Sequence, residues 1–183
     1  DVTHEEVAAM EQALIEEGLP VEEIQKMCDV HASIFKDTFD KKTEPEMIPG
    51  HPIHTFNQEN RALEDLIVNE IKPRIEALKS AGGEQQKKKV AIELLEKYNL
   101  LTDIDKHYSR KENLIFPYLE KYGITAPPKV MWGVDDEIRD EIKDIINDLK
   151  NYNTDARINT LNKIEKNLER IQEMIYKEEK ILL

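Results

Sequence analysis

Four apolar stripes at helical spacing constrain this chain more than any other feature. One runs Met131, Asp135, Ile138, Ile142, Ile145 and Leu149, in steps of four and three. That period lines one face of an α-helix and cannot line one face of a strand. A second runs Ile164, Leu168, Ile171, Ile175, Glu178 and Leu182. A third holds Leu94, Leu101, Ile104, Tyr108 and Ile115, with His107 and Lys111 on the same face. The fourth holds Phe56, Leu63, Ile67, Ile71, Ile75 and Leu78.

Turn signals separate the stripes: Gly82-Gly83, then Gly123 with Pro127-Pro128, then Asn151-Tyr152-Asn153-Thr154. The helices expected are about 55–80, 84–121, 129–150 and 155 to the end, with Pro117 kinking the second. Short connections make long helices antiparallel neighbours. The expected fold is therefore all-α, an up-down-up-down antiparallel four-helix bundle over 55–183. Ahead of it, Thr3 and Glu6 form a capping box, Gly18 closes one helix and Pro20 opens another. Residues 1–40 read as an N-terminal helical hairpin, and the polar stretch 41–54 as a linker.

Charge excludes some partners. The net charge is −12 over 183 residues, and an acidic surface attracts neither phosphate backbones nor anionic lipids. Lys87-Lys88-Lys89 reads as a solvated helix start. No apolar stretch approaches the roughly 20 residues that span a bilayer. No secretory leader is visible and the single Cys28 allows no internal disulfide, so the expected location is cytoplasmic. Asp1 in place of Met, and a helical pattern still running at Leu183, give the expectation of a piece of a longer protein.

Each stripe carries a polar residue where the core should be: Glu59 or Asn60, then His107, Asp135 and Glu178. An unpaired buried group of this kind costs several kcal/mol, so four of them need a shared reason. In an up-down bundle all four fall towards the same end. Imidazole and carboxylates facing one another inside a bundle suit iron, manganese or zinc. A hydrogen-bonded polar cluster is the other reading. A second set is Cys28-x-x-His31 and His51-x-x-His54. Thiolate with imidazole suits zinc or iron, and either alone can be an axial haem ligand. A buried structural cysteine is the alternative for Cys28.

His107-Tyr-Ser-Arg-Lys-Glu-Asn-Leu-Ile-Phe-Pro117 resembles the His-x-x-x-Glu-Glu-x-x-Leu-Phe-Pro motif of hemerythrin-like (HHE) cation-binding domains. Tyr176-Lys-Glu-Glu-Lys-Ile-Leu-Leu183 is similar to a second copy. Pro20 to His31 resembles the helical domain of unknown function, family 438, that precedes such bundles. Gly50 to Phe56 and Met131 to Arg139 are similar to the same subgroup. The resemblance implies a non-haem di-iron site for oxygen or nitric oxide, or for iron-centre repair.

Residue by residue, the ligand set is altered. His107 matches the family histidine, but the carboxylate four residues on is Lys111. Glu112 is a +5 step, about 140° round a straight helix from His107. Asp135 and Met174 stand where histidines are expected, Asn60 replaces the first-helix histidine beside Glu59, and the carboxylate Glu178 remains. Two functions follow. One is a sensory module for oxygen, nitric oxide or redox state. It would bind iron, with zinc or haem as alternatives, through His51, His54, Glu59, His107, Asp135 and Glu178, with Cys28 and His31 as cofactor ligands. The other is a metal-free signalling or structural bundle in which Lys111 neutralises Asp135 or Glu178. A further sensor domain after this chain is expected with the first, and contacts with protein partners with the second. No positioned acid–base pair can be read from spacing, so an enzymatic role ranks behind both.

Overall fold

The computed structural model describes residues 51–182, and before them only Ala13, Leu14, Gly18 and Pro20. The hairpin expected over 1–40, most of the linker, and Cys28 with His31 lie outside the described residues. Among the described residues there are helices and turns and no strand, in four helical runs.

The first run is α1 (Pro52–Asp65), a π-helical segment Leu66–Ile71 and α2 (Lys72–Ser80). It starts earlier than the linker reading expects. Pro52 suits a first helical position, where its missing N–H is not needed. The imidazole of His51 accepts the Ile53 N–H at 3.3 Å, which satisfies one of the amides at that end.

The second run was expected as one kinked helix and is divided. Helix α3 (Glu84–Leu101) stops at a turn, and α4 (Ile104–Arg110), a π segment Lys111–Ile115 and α5 (Phe116–Lys121) follow. Gly123, with φ of +83°, closes the run, its αL conformation costing glycine little. The third run is α6 (Ala126–Lys150), where Pro127 and Pro128 open the helix instead of breaking the chain. The fourth is a 3₁₀ turn Thr154–Ala156, α7 (Arg157–Lys177) and a π segment Glu178–Leu182.

Two of the π segments end just before a proline. Pro73 and Pro117 cannot donate to the carbonyl four residues back. The chain answers with wider turns: the Lys72 N–H reaches Ile67 O and the Phe116 N–H reaches Lys111 O, each spanning five residues.

The described chain forms two compact units. One comprises Gln58–His107 and Asp136–Gln172. Its buried positions are the expected stripes: Ile67, Ile71, Ile75 and Leu78; Leu94, Leu101 and Ile104; Ile138, Ile142, Ile145 and Leu149; Ile164, Leu168 and Ile171. Burying each such side chain stabilises by about 1.5–3 kcal/mol. Polar links tie its segments together. Arg157 donates to the Leu78 and Lys79 carbonyls at the end of α2, and Lys163 pairs with Asp144 and Asp148. The other unit comprises, among the described residues of the bundle region, 51–57, Tyr108–Asp135 and 173–182. Phe56, Tyr108, Phe116, Met131, Val134, Met174 and Ile175 are buried in it.

Because Ile138 is wholly buried, Ile138→Ala is expected to lower the unfolding free energy by about 2–5 kcal/mol in urea denaturation. Ile92→Ala, at a position 58% exposed, should change it by less than about 0.5 kcal/mol. Equal losses from the two would contradict the assigned core.

Candidate functional site

In the unit containing Tyr108–Asp135 and Glu173–Leu183, the polar interior is built around a cation. Lys111 opens its π segment and is fully buried. Its ammonium lies 2.8 Å from Asp135 Oδ1 and 2.5 Å from Glu178 Oε1. It also stands 4.3 Å from the centroid of the Tyr108 ring, whose face attracts a cation. Asp135 comes from α6 and Glu178 opens the last π segment, so one side chain ties three helical runs. In a straight helix Glu112 would turn away from this interior. The π segment widens the turn, and Lys111 and Glu112 are both buried although adjacent.

The charges do not balance within this group. Asp135 and Glu178 share one ammonium, and Asp135 Oδ2 is buried with no hydrogen-bond partner among the described residues. Burial pushes the Asp135 carboxyl up to about 7. The Lys111 ammonium opposes that rise, and the charges of Glu178 and Glu112 add to it.

In the other unit, His107 Nδ1 lies 2.8 Å from Glu59 Oε2. His107 is buried, Glu59 is half-buried and Asn60 is fully buried. Of the two candidates on the first run, Asn60 is therefore the inward one, and Glu59 bonds the histidine. A hydrogen bond to one ring nitrogen fixes the tautomer and orientation of an imidazole.

His51 is exposed and spent on the helix start, and His54 is half-buried in the first turn of α1. Met174, where a histidine is expected, is buried. The sequence-predicted residues are thus brought together as Glu59 with His107, and as Asp135 with Glu178 through Lys111. Among the described residues, no three of His, Cys, Asp and Glu gather as a group able to hold a metal ion.

The same unit as His107 holds a polar ladder that sequence reasoning missed. Tyr98 donates to Asn167 Oδ1 at 3.3 Å, Asn167 Nδ2 donates to Glu141 Oε2 at 3.1 Å, and Arg170 bonds Glu141 at 2.7 Å and Glu137. Burial and the Glu141 charge raise the Tyr98 hydroxyl well above its ordinary range. The available signal was Asn167, which lies three residues after Ile164 and four before Ile171, on the inward face.

Residues 51–183 match the family model described as the Hemerythrin HHE cation binding domain. Residues 1–41 match a family of unknown function, DUF438. Comparison with curated proteins finds no match.

Asp135 makes stability depend on pH with a stated sign. Burial pushes its carboxyl up to about 7 in the folded protein from an ordinary 3.8. Between those values the native state binds more protons than the unfolded chain, so this contribution falls as pH rises from about 4 to about 7. Asp135→Asn removes it. Melting temperatures of the native chain and the variant at about pH 5 and about pH 7.5 should show a smaller loss on raising pH in the variant. Parallel losses would contradict the assignment.

Proposed function

The chain belongs to the hemerythrin HHE cation-binding family, and from that premise we propose that it works as a signalling or structural helical module acting through protein partners, with a metal-free interior. One observation carries this reading: the cation between Asp135 and Glu178 is the chain's own Lys111 ammonium.

The family implies a metal, commonly iron, and the residues present do not fit a dinuclear centre at this place. A divalent ion and a fully buried ammonium cannot share the space within bonding distance of the same carboxylates. Taking Lys111 out of water is repaid only because two carboxylates and an aromatic face receive it, which makes it an integral part of the core. The up-down-up-down order of the four runs belongs to the same proposal. It is supported within one unit by Arg157 at the end of α2 and by Lys163 pairing back to α6. No described helix is long and apolar enough to cross a membrane, and a cytoplasmic location is part of the proposal.

A second reading is favoured by the His107–Glu59 contact. A carboxylate on Nδ1 orients an imidazole so that Nε2 meets a cation, the arrangement common behind metal-bound histidines. On this reading the chain senses oxygen, nitric oxide or redox state through a single iron, with zinc or haem as alternatives. In both readings a sensor domain beyond this chain is the partner proposed.

Elemental analysis and an absorption spectrum of chain purified from metal-supplemented cells separate the two. The first reading expects below about 0.1 equivalent of any transition metal and no Soret band. It also expects His107→Ala to lower the melting temperature equally with and without chelator, because a bound metal would stabilise only the folded state. A stoichiometric metal, or a chelator-dependent loss, would favour the second reading.

A further inference from the structure

Charge alone leaves α7 a choice of position along α6. Lys163 lies 2.7 Å from Asp144 Oδ2 and 2.8 Å from Asp148 Oδ2. Seven residues on, Arg170 lies 2.7 Å from Glu141 Oε1 and also bonds Glu137. The later base on α7 meets the earlier carboxylates on α6, so the two helices run antiparallel within this unit. The carboxylates follow one another in steps of four, three and four, and the bases in a step of seven that Lys177 continues. The buried stripe Leu161, Ile164, Leu168 and Ile171 has the same heptad period, and Ile175 continues it. Both patterns therefore nearly repeat when α7 slides by seven residues, about 10 Å along its axis. Arg170 would then face Asp144 and Asp148, Lys177 would face Glu137 and Glu141, and Leu168, Ile171 and Ile175 would take the places of Leu161, Ile164 and Leu168.

Asn167 breaks the repeat. It is wholly buried, and the residue seven places on is Met174. Asn167 accepts the Tyr98 hydroxyl at 3.3 Å and donates to Glu141 Oε2 at 3.1 Å. Tyr98 is also wholly buried and comes from α3, so the ladder joins three helical runs at one level. After a slide Met174 would stand there. Its thioether is a weak acceptor, and the Tyr98 hydroxyl would lose its bond inside the core. We propose that Asn167 is a register key: its bonds to Tyr98 and Glu141 select one of two heptad-related positions of α7 on α6. A single buried asparagine in a repeating apolar seam has this effect in coiled coils. The inference goes beyond the functional reading and does not depend on the presence or absence of a metal.

The test uses the full chain carrying Cys28→Ser, with nitroxide labels on Asp140→Cys and Lys166→Cys, exposed positions on the two helices. Pulsed electron paramagnetic resonance reads the distance between the labels. With Tyr98 and Asn167 in place, one distance population is expected. Adding Tyr98→Phe and Asn167→Met removes the ladder and keeps the layer filled. That variant should retain its helical circular dichroism and melt within about 5 °C of its parent. It should also gain a second distance population of about a tenth or more, from a slide of about 10 Å along the axis. A single unchanged distance in the variant would place the register signal in other residues and overturn the key. Two populations already present in the parent would overturn it as well. Loss of helical structure in the variant would show that the ladder is needed for folding itself, which also contradicts the proposal.

Discussion

The contact between the Lys111 ammonium and the carboxylates of Asp135 and Glu178 is the interaction on which the interior of its unit depends. All three residues are buried and come from three different helical runs. Removing Lys111 leaves two buried carboxylates without this cation, and breaking such a pair costs about 3–5 kcal/mol. Apolar burial could join the same runs without that risk. What the charged group adds is direction: an ammonium that must meet two specific oxygens fixes the rotation of each run about its axis more narrowly than a leucine would. The π segments serve this requirement, since Lys111 and Glu178 each open one.

Much of the frame was legible because it follows from a period. The stripes from Ile67 to Leu78, Ile138 to Leu149 and Ile164 to Ile175 are buried as their spacing requires. The breaks were less legible where no glycine or proline marks them. The turn after Leu101 holds Thr102, whose hydroxyl donates to the Asn99 carbonyl at 2.6 Å. Such a local bond lets the chain leave the helix without a strong sequence signal. Prolines were visible but ambiguous. Pro127 and Pro128 fit the first turn of α6, whereas Pro117 lies behind a π segment that keeps its run helical. A proline marks a missing donor, and only the surrounding packing decides whether the chain breaks, starts or widens there.

The candidate site was legible by residue and less so by pairing. Spacing brought His107, Lys111, Asp135 and Glu178 to inward faces, and all four are buried. A straight helix sets Glu112 about 140° from His107, and the π segment that holds it changes that count. Of Glu59 and Asn60, periodicity left both open; burial takes Asn60 inside, while Glu59 reaches His107 from a half-buried position. The ladder from Tyr98 through Asn167 to Glu141 was missed because a lone asparagine or tyrosine on an apolar stripe reads as a tolerated exception.

Sequence spacing identifies which side chains enter a core, and it says nothing about sign. A stripe holding His, Asp and Glu reads as a ligand set because those groups share an affinity for cations. The same residues are equally served by a cation the chain provides. Here a lysine at an inward position brings both charge and chain to the two carboxylates. The carboxylates keep their positions, the helices keep their stripes, and the positive charge that reconciles them in this unit belongs to Lys111.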